Sequence, residues 1–329
     1  MGATIKDVAK QAGVSIATVS MVVNNKAGHI TEKTKQKVFD AIQDLDYKPN
    51  YTARSLVSAE SHTMGLLVPD ITNPFFAELA KELENSLNQA GYITFLCNSC
   101  EESEREMRYV EELISRSVDG LIICGLTSLE TTIFDELKLR GIPFLILDNR
   151  YALSDYSIHV DDLTGGKIAA EYLLANGHTK TAFVGSQADF ANIGERYRGY
   201  KETIERASGT VAGFRTDLTR KGGQLIAHKV FDADVTAVFC SNDMIAVGLY
   251  DQAVASGIQI PDDLSIIGYD DITFADIVQP KLTTIRQPIP QIAAKTVEHL
   301  RKMIQKKDYS FKEEILPVSL IERDSVKKR

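Results

Sequence analysis

The chain has 329 residues, enough for two or three domains with their own cores. It contains no run of eighteen apolar residues and no N-terminal apolar stretch of a secretory signal, so it is expected in the cytoplasm, not as a membrane protein or a periplasmic receptor. The net charge of −8 speaks against a nucleic-acid partner until its distribution is considered: residues 1–62 hold eight Lys/Arg against six Asp/Glu, leaving +2 there and −10 for the remainder.

From the N-terminus, Thr4 followed three residues later by Asp7 is a capping-box pattern, and Val8, Ala9 and Ala12 give the helix it starts a small apolar face. Gly13 ends that helix. Ser15 caps a second one in which Val19, Val22 and Val23 recur at helical spacing, leaving Ile16, Ala17, Ser20 and Met21 on other faces. Two short helices joined by a Gly-containing turn fit a helix-turn-helix, although a plain helical hairpin has the same pattern. Thr31 begins a third helix with Val38, Ile42 and Leu45 at core spacing. Beyond Tyr47-Lys48-Pro49, the run Asn50 to Leu56 is a helix too weak to stand alone.

From residue 64 strands and helices alternate. Strands are expected over Met64–Pro69, Tyr92–Cys97, Gly120–Cys124 and Pro143–Asp148, with helices over Phe75–Ala90, Ser103–Ser117 and Thr131–Arg140 between them. The rhythm repeats with strands at Ser157–Val160, Thr181–Gly185, Val235–Cys240 and Leu264–Tyr269, and helices at Leu163–Asn176, Ile193–Ala207 and Met244–Ser256. Continuous apolar strands separated by helices predict two doubly wound parallel sheets, each covered on both faces, with a cleft between two lobes.

Ligands of open parallel sheets sit beyond the carboxyl ends of the strands, where this chain places Asp70, Asn73-Pro-Phe75-Phe76, Asp148-Asn-Arg150, Ser241-Asn242-Asp243 and Asp270-Asp271, with Arg196 near a helix start. Carboxylates, an amide, a guanidinium and aromatic rings together suit a sugar, whose hydroxyls donate and accept while its apolar face lies on a ring. Taken singly, each Asp or Asn could merely cap the next helix, and Phe75 or Phe76 could be core.

The run Ile5-Lys-Asp-Val-Ala, Gly13-Val-Ser, Thr18-Val-Ser and Val22-Val-Asn24, then Tyr47-Lys-Pro-Asn50 and Ala53-Arg-Ser-Leu56, resembles the headpiece of the LacI/GalR repressors. Asn73-Pro-Phe-Phe76, Asn242-Asp243, Ile267-Gly-Tyr-Asp-Asp271, Leu282-Thr-Thr-Ile-Arg-Gln-Pro288 and Leu320-Ile-Glu-Arg323 extend the resemblance over the core, which is similar to periplasmic sugar-binding proteins. It implies a headpiece over 1–48, a hinge helix and linker over 49–61 and a two-lobed effector-binding, dimerising core over 62–329. DNA contacts are implied for Thr4, Ser15, Ile16, Ala17, Thr18, Ser20, Met21, Asn24, His29, Tyr47, Asn50, Ala53, Arg54 and Leu56, the last as a minor-groove wedge. Met21 stands where many relatives carry a polar or basic base-reading side chain, so no operator sequence is carried over. Effector contacts are implied for Asn73, Phe75, Phe76, Asp148, Arg150, Arg196, Asn242 and Asp270. Residues 209–232 are shorter than the family pattern, which puts effector contacts from that loop in doubt.

The expected function is a DNA-binding repressor of a sugar-utilisation operon, acting as a homodimer on double-stranded operator DNA and controlled by a pentose or hexose. One alternative is a catabolite-control type of regulator strengthened by a phosphocarrier protein; a sugar receptor or sugar-active enzyme is more remote. No cofactor, metal or catalytic residue is expected: there is no Gly-x-Gly-x-x-Gly after a strand, no Walker loop and no metal-spaced pair among the six histidines, and His159 and His178 read as packing or capping groups. Cys97-x-x-Cys100 lacks a second pair or a histidine at finger spacing, and Cys124 and Cys240 end apolar strands, so all four read as buried or loop thiols.

Overall fold

The computed structural model describes residues 3–23, 29–47, 61–125, 131–148, 155–306, 309 and 311–329. They fall into two compact units, residues 1–61 and 62–329. The expected helix over Asn50 to Leu56, with Ala53 and Arg54, lies outside the described residues, as do Asn24 and Arg150.

In the smaller unit, α1 (Ile5–Ala12) is opened by Thr4, whose backbone N–H and hydroxyl both donate to the Asp7 carboxylate at 2.9 and 2.7 Å. It closes on Gly13 in the left-handed conformation (φ 66°). Ser15 Oγ accepts from the Thr18 N–H at 3.1 Å to start α2 (Ile16–Val23), and Thr31 does the same for Thr34 at the head of α3 (Glu32–Asp44). Removing such a cap costs about 1 kcal/mol. Val8, Ala9, Ala12, Val19, Val22, Val38 and Ala41 form the core of this three-helix unit.

The larger unit holds two six-stranded sheets. The first contains β1 (Thr63–Val68), β2 (Ile93–Asn98), β3 (Gly120–Cys124), β4 (Phe144–Leu147), β5 (Ser157–Val160) and β11 (Glu313–Leu316), in the order β11-β5-β4-β3-β1-β2, all parallel. The second contains β6 (Lys180–Ser186), β7 (Thr210–Thr216), β8 (Ala237–Cys240), β9 (Ser265–Asp270), β10 (Thr283–Arg286) and β12 (Ser319–Ile321), in the order β12-β10-β9-β8-β6-β7, with only β12 antiparallel. The inner strands β3, β4, β8 and β9 are buried along their whole length, as two-sided parallel strands require. The first sheet is covered by α4 (Pro74–Gln89), α5 (Ser103–Ser115), α6 (Thr131–Arg140) and α12 (Ile289–Gln305); the second by α7 (Asp162–Ala175), α8 (Ala191–Arg206), α9 (Arg220–Phe231), α10 (Asp243–Ser256) and the short α11 (Thr273–Ile277). No helix among the described residues is long and apolar enough to cross a membrane.

Seven elements escape the sequence reading: β7, β10, β11, β12, α9, α11 and α12. β7 is an edge strand interrupted by a glycine, and α9 opens with two, so neither has a clean apolar period. The chain passes between the lobes three times: after β5, between β10 and α12, and between β11 and β12.

The packing of α7 on α8 fixes the position of the cleft residues. A methyl group on Gly166 would lie 2.0 Å from the Arg196 carbonyl oxygen, and one on Gly199 the same distance from the Leu163 carbonyl. The helices touch backbone to backbone, and only glycine permits that spacing. Gly199→Ala is therefore expected to destabilise the core by about 3 kcal/mol or more through forced separation of α7 and α8, read as a lower midpoint in urea unfolding.

Candidate functional site

A cleft of about 480 Å³ lies at the carboxyl ends of the strands of both lobes. The first lobe contributes Asp70, Thr72 and Asn73 after β1, Phe75 and Phe76 on α4, and Asp148 after β4. The second contributes Ser186 at the end of β6 and Gln187, Ala188 and Phe190 after it, Asn192 and Arg196 on α8, Asp217 to Thr219 after β7, Asn242 after β8 and Asp270 at the end of β9. Gln287, on the crossing from β10 to α12, lines it as well. Asn73, Phe75, Phe76, Asp148, Arg196, Asn242 and Asp270 thus line one cavity.

Arg196 is 3% exposed. Its Nε donates to Asp162 Oδ1 and its Nη1 to the Ser241 carbonyl, both at 2.7 Å, while the guanidinium lies 3.7 Å from the centre of the Tyr269 ring. The Tyr269 hydroxyl donates to the same Asp162 oxygen at 2.9 Å. Burial works against the arginine charge, and Asp162, Tyr269, Asp270 and Asp148 more than offset it, so Arg196 is held protonated beyond its ordinary range. Burial likewise pushes the Asp162 carboxyl up, against the pull of Arg196.

Asp148 and Asp270 face the cavity from opposite lobes. Both have left-handed-side backbones, φ 56° and 112°, and strain of this kind persists where surrounding bonds hold it. Asp148 Oδ1 accepts from Asn192 Nδ2 at 2.7 Å, a bond that crosses the cleft. Asp270 Oδ1 accepts from Gln287 Nε2 at 2.7 Å. Burial raises the Asp270 carboxyl to about 7, against the pull of Arg196 and of the Gln287 bond and with help from Asp148 and Asp162. At the rim, Thr273 donates to Glu78 Oε1 through its hydroxyl at 2.6 Å and its N–H at 3.2 Å, a second bridge between the lobes.

The capping role weighed for the amides is real. Asn73 Oδ1 accepts from the Phe75 N–H at 3.1 Å, and Asn242 Oδ1 from the Ile245 N–H at 2.9 Å while its amide reaches the Leu218 carbonyl at 3.0 Å. These two residues therefore shape the wall. Phe75 and Phe76 are each 4% exposed and pack edge to face at 5.1 Å, so they are core residues that also line the cleft. Missed from the sequence were Asn192 and Phe190, because the helix was started at Ile193; Gln287, because β10 was not placed; and Asp217 to Thr219, because β7 and α9 were not. The last segment shows that residues 209–232, despite their length, do reach the cleft.

The cavity offers acceptors on both lobes, a fixed guanidinium and amides, and apolar walls from Phe75, Phe76, Phe190 and Met244. Its described lining carries five carboxyl groups (Asp70, Glu101, Asp148, Asp217, Asp270) against one guanidinium. That balance suits a small neutral molecule with several hydroxyls and disfavours an anion.

On the smaller unit, Ile16, Ala17 and Met21 are exposed along the outer side of α2, with Ser20 half-buried beside them. Ser15 and Thr18 share a 2.9 Å hydroxyl bond at the helix start. Thr4 and His29 are exposed, and Tyr47 packs partly buried against the core. Elsewhere, Cys97 is half-buried on β2, Cys100 is exposed, and Cys124 and Cys240 are buried; all four are free thiols. His178 bonds Thr236 and the Lys327 carbonyl, and His159 bonds Glu313.

A helix-turn-helix unit in one chain with a two-lobed binding core is the make-up of a ligand-responsive, DNA-binding regulator. The model of the lacI family of bacterial regulatory proteins matches residues 4–50, and that of a periplasmic binding protein-like domain matches residues 170–326. Over 98% of its length the chain is 35% identical to the ribose operon repressor of Halalkalibacterium halodurans, of which it covers 97%. A LacI family transcriptional regulator of Enterococcus faecium, solved with bound ribose, is 36% identical and superposes with a TM-score of 0.75 over 81% of this chain and 99% of that one. The lac repressor dimer bound to operator and the anti-inducer ONPF is 27% identical, with a TM-score of 0.89 over 99% of this chain and 100% of that one. This chain belongs to the LacI family: it is a DNA-binding transcriptional regulator with an effector-binding domain, and it is not an enzyme.

The raised Asp270 carboxyl gives a signed expectation. Below about pH 4 both folded and unfolded chains hold its proton; from there to about 7 only the folded chain does. Its contribution to stability therefore falls as pH rises through that window and levels off above it. Asp270→Asn should remove this slope from the variant, so that the stability difference between wild type and variant, read from urea unfolding between pH 4.5 and 8, falls up to about pH 7 and is constant above it.

Proposed function

We propose that the chain represses a sugar-utilisation operon, with operator affinity set by a neutral pentose or hexose in the cleft. The carrying observation is the pair of carboxyl groups, Asp148 and Asp270, that face one cavity from opposite lobes beside the clamped Arg196. A sugar hydroxyl on each, with the ring against Phe75 and Phe76, would add bonds across the gap that Asp148–Asn192 and Glu78–Thr273 already span, favouring the closed lobes. The ribose-bound relative supports this choice and makes ribose the first sugar to try.

The DNA-reading surface in this proposal is the outer side of α2, formed by Ile16, Ala17, Ser20 and Met21, with Thr4, Ser15 and Thr18 at helix starts facing phosphates. Its apolar side chains suit thymine methyl groups more than guanine edges. Residues 1–48 serve as headpiece, 49–61 as hinge and 62–329 as core. A homodimer is supported by the free edge strand β2, which exposes Ile93, Phe95 and Leu96 at 68%, 40% and 44%, since a sheet edge with three large apolar side chains calls for cover by a second copy.

The decisive experiment is binding to DNA upstream of the coding region at fixed salt, titrated with ribose, other pentoses, hexoses and their phosphates. A neutral sugar is expected to weaken binding by a factor of about 10 to 100, equivalent to about 1.4 to 2.7 kcal/mol of coupling. Tightening would make the sugar a co-repressor, and no response to any sugar would turn the search to a protein co-repressor such as a phosphocarrier. Asp148→Ala is expected to abolish sugar binding in calorimetry while the unfolding midpoint stays within reach of wild type; unchanged affinity would remove Asp148 from the site. Ala17→Asp should cut operator affinity about tenfold or more by setting a carboxylate against the phosphates, without changing sugar affinity.

A further inference from the structure

A second cavity, of about 590 Å³, opens between α8 and the edge strand β7. Two glycines on its wall are required by neither conformation nor packing. Gly194 lies inside α8 and Gly213 in the middle of β7, and neither has a left-handed φ. A methyl group on Gly194 would meet nothing within 4 Å, and one on Gly213 only the Tyr197 hydroxyl at 3.6 Å. This is the reverse of Gly166 and Gly199, where an added methyl would strike backbone at 2.0 Å. Glycine is a poor residue in a helix interior and weakens a strand, where it often marks close approach of a ligand or another backbone. Here two elements each carry such a glycine, and both open onto the same space.

The other walls are rings: Phe183, Phe190, Tyr197 and Phe214. The Tyr197 hydroxyl has no hydrogen-bond partner among the described residues, which leaves it available at the cavity. Charged groups at the rim are already paired, Asp189 with Arg215 at 2.7 Å and Glu195 with Arg198. We propose that this cavity is a second binding site, separate from the effector cleft, for a neutral planar aromatic molecule of one or two fused rings. Its flat face lies against the bare backbone at Gly194 and Gly213, and its polar edge meets the Tyr197 hydroxyl. Phe190, Ile193, Ser186 and Ala188 line both this cavity and the cleft, so occupancy of one fixes a wall of the other. That coupling, unlike the site itself, rests on the cleft being the sugar site.

The chain has no tryptophan, so indole is a probe whose fluorescence stands clear of the protein's own. Titrated with the full chain, indole should show saturable anisotropy and a blue-shifted emission at one molecule per chain. Gly194→Leu and Gly213→Val, which fill the space, should each weaken binding about tenfold or more, and Tyr197→Phe about two- to fivefold. Gly194→Ala should melt no lower than wild type, confirming that the fold does not need glycine there. Absence of saturable binding overturns the proposal, and so does unchanged affinity in both filled variants when their circular-dichroism melts match wild type. A change of oligomeric state in those variants, with indole binding intact, would assign the glycines to close approach of another chain instead. Saturating indole should shift the ribose Kd at least about threefold; a failure of ribose to bind leaves the indole titration to decide the site alone.

Discussion

Arg196 is the group on which the larger unit depends. A guanidinium buried this deeply is costly unless it is paired and hydrogen-bonded, and each of its partners comes from a different element: Asp162 heads α7, Ser241 follows β8 and Tyr269 lies on β9. Removing one partner of such a set costs more than the set contributes, because the rest stay buried and unpaired. The arrangement is possible only because α7 and α8 touch at Gly166 and Gly199, which brings Asp162 and Arg196 within bonding distance. A helix contact of bare backbone, a buried ion pair and the wall of a cleft are therefore one construction.

The cleft inherits its chemistry from that construction. With the arginine charge taken up by Asp162 and the aromatic face of Tyr269, the described lining is left with an excess of carboxyl groups. One of them, Asp270, has its carboxyl raised to about 7 by burial and is oriented by Gln287 on the crossing between the lobes. Any ligand that reorients Asp270 therefore acts on a connecting strand as well as on a pocket wall. A ligand that takes Asn192 from Asp148 must replace that bond with others across the gap. Affinity then tracks closure, and a regulator needs just such a difference in affinity between two states.

Much of this was legible in the sequence because parallel strands covered on both faces read as unbroken apolar runs, and strand ends announce themselves by the polar residue that follows. Asp148, Asn242 and Asp270 were found that way. β7 was not, since an exposed edge strand with Gly213 has no apolar run, and the cleft residues after it went with it. Asp162 was hidden for a different reason: a carboxylate at the head of a helix looks like a cap, whereas its actual partner stands 34 positions away. Pairings of that range depend on how helices pack, and the signal for the packing was two glycines whose meaning appears only when their neighbours are known. The headpiece was the easier part, because its caps and turn are local, each set by residues three or four apart.

The same excess of carboxyl groups that favours hydroxyls also sets what the cleft rejects. A phosphorylated sugar would bring about two negative charges at neutral pH into a cavity whose one described cation is already engaged. In a part-buried site each unpaired contact between like charges is worth several times its value in water, so the repulsion opposes the hydrogen bonds a phosphate could make to Asn192, Gln287 or backbone N–H groups. Discrimination between a free sugar and its phosphate ester thus needs no dedicated clash. On the proposed reading it follows from leaving the acidic walls without a second base.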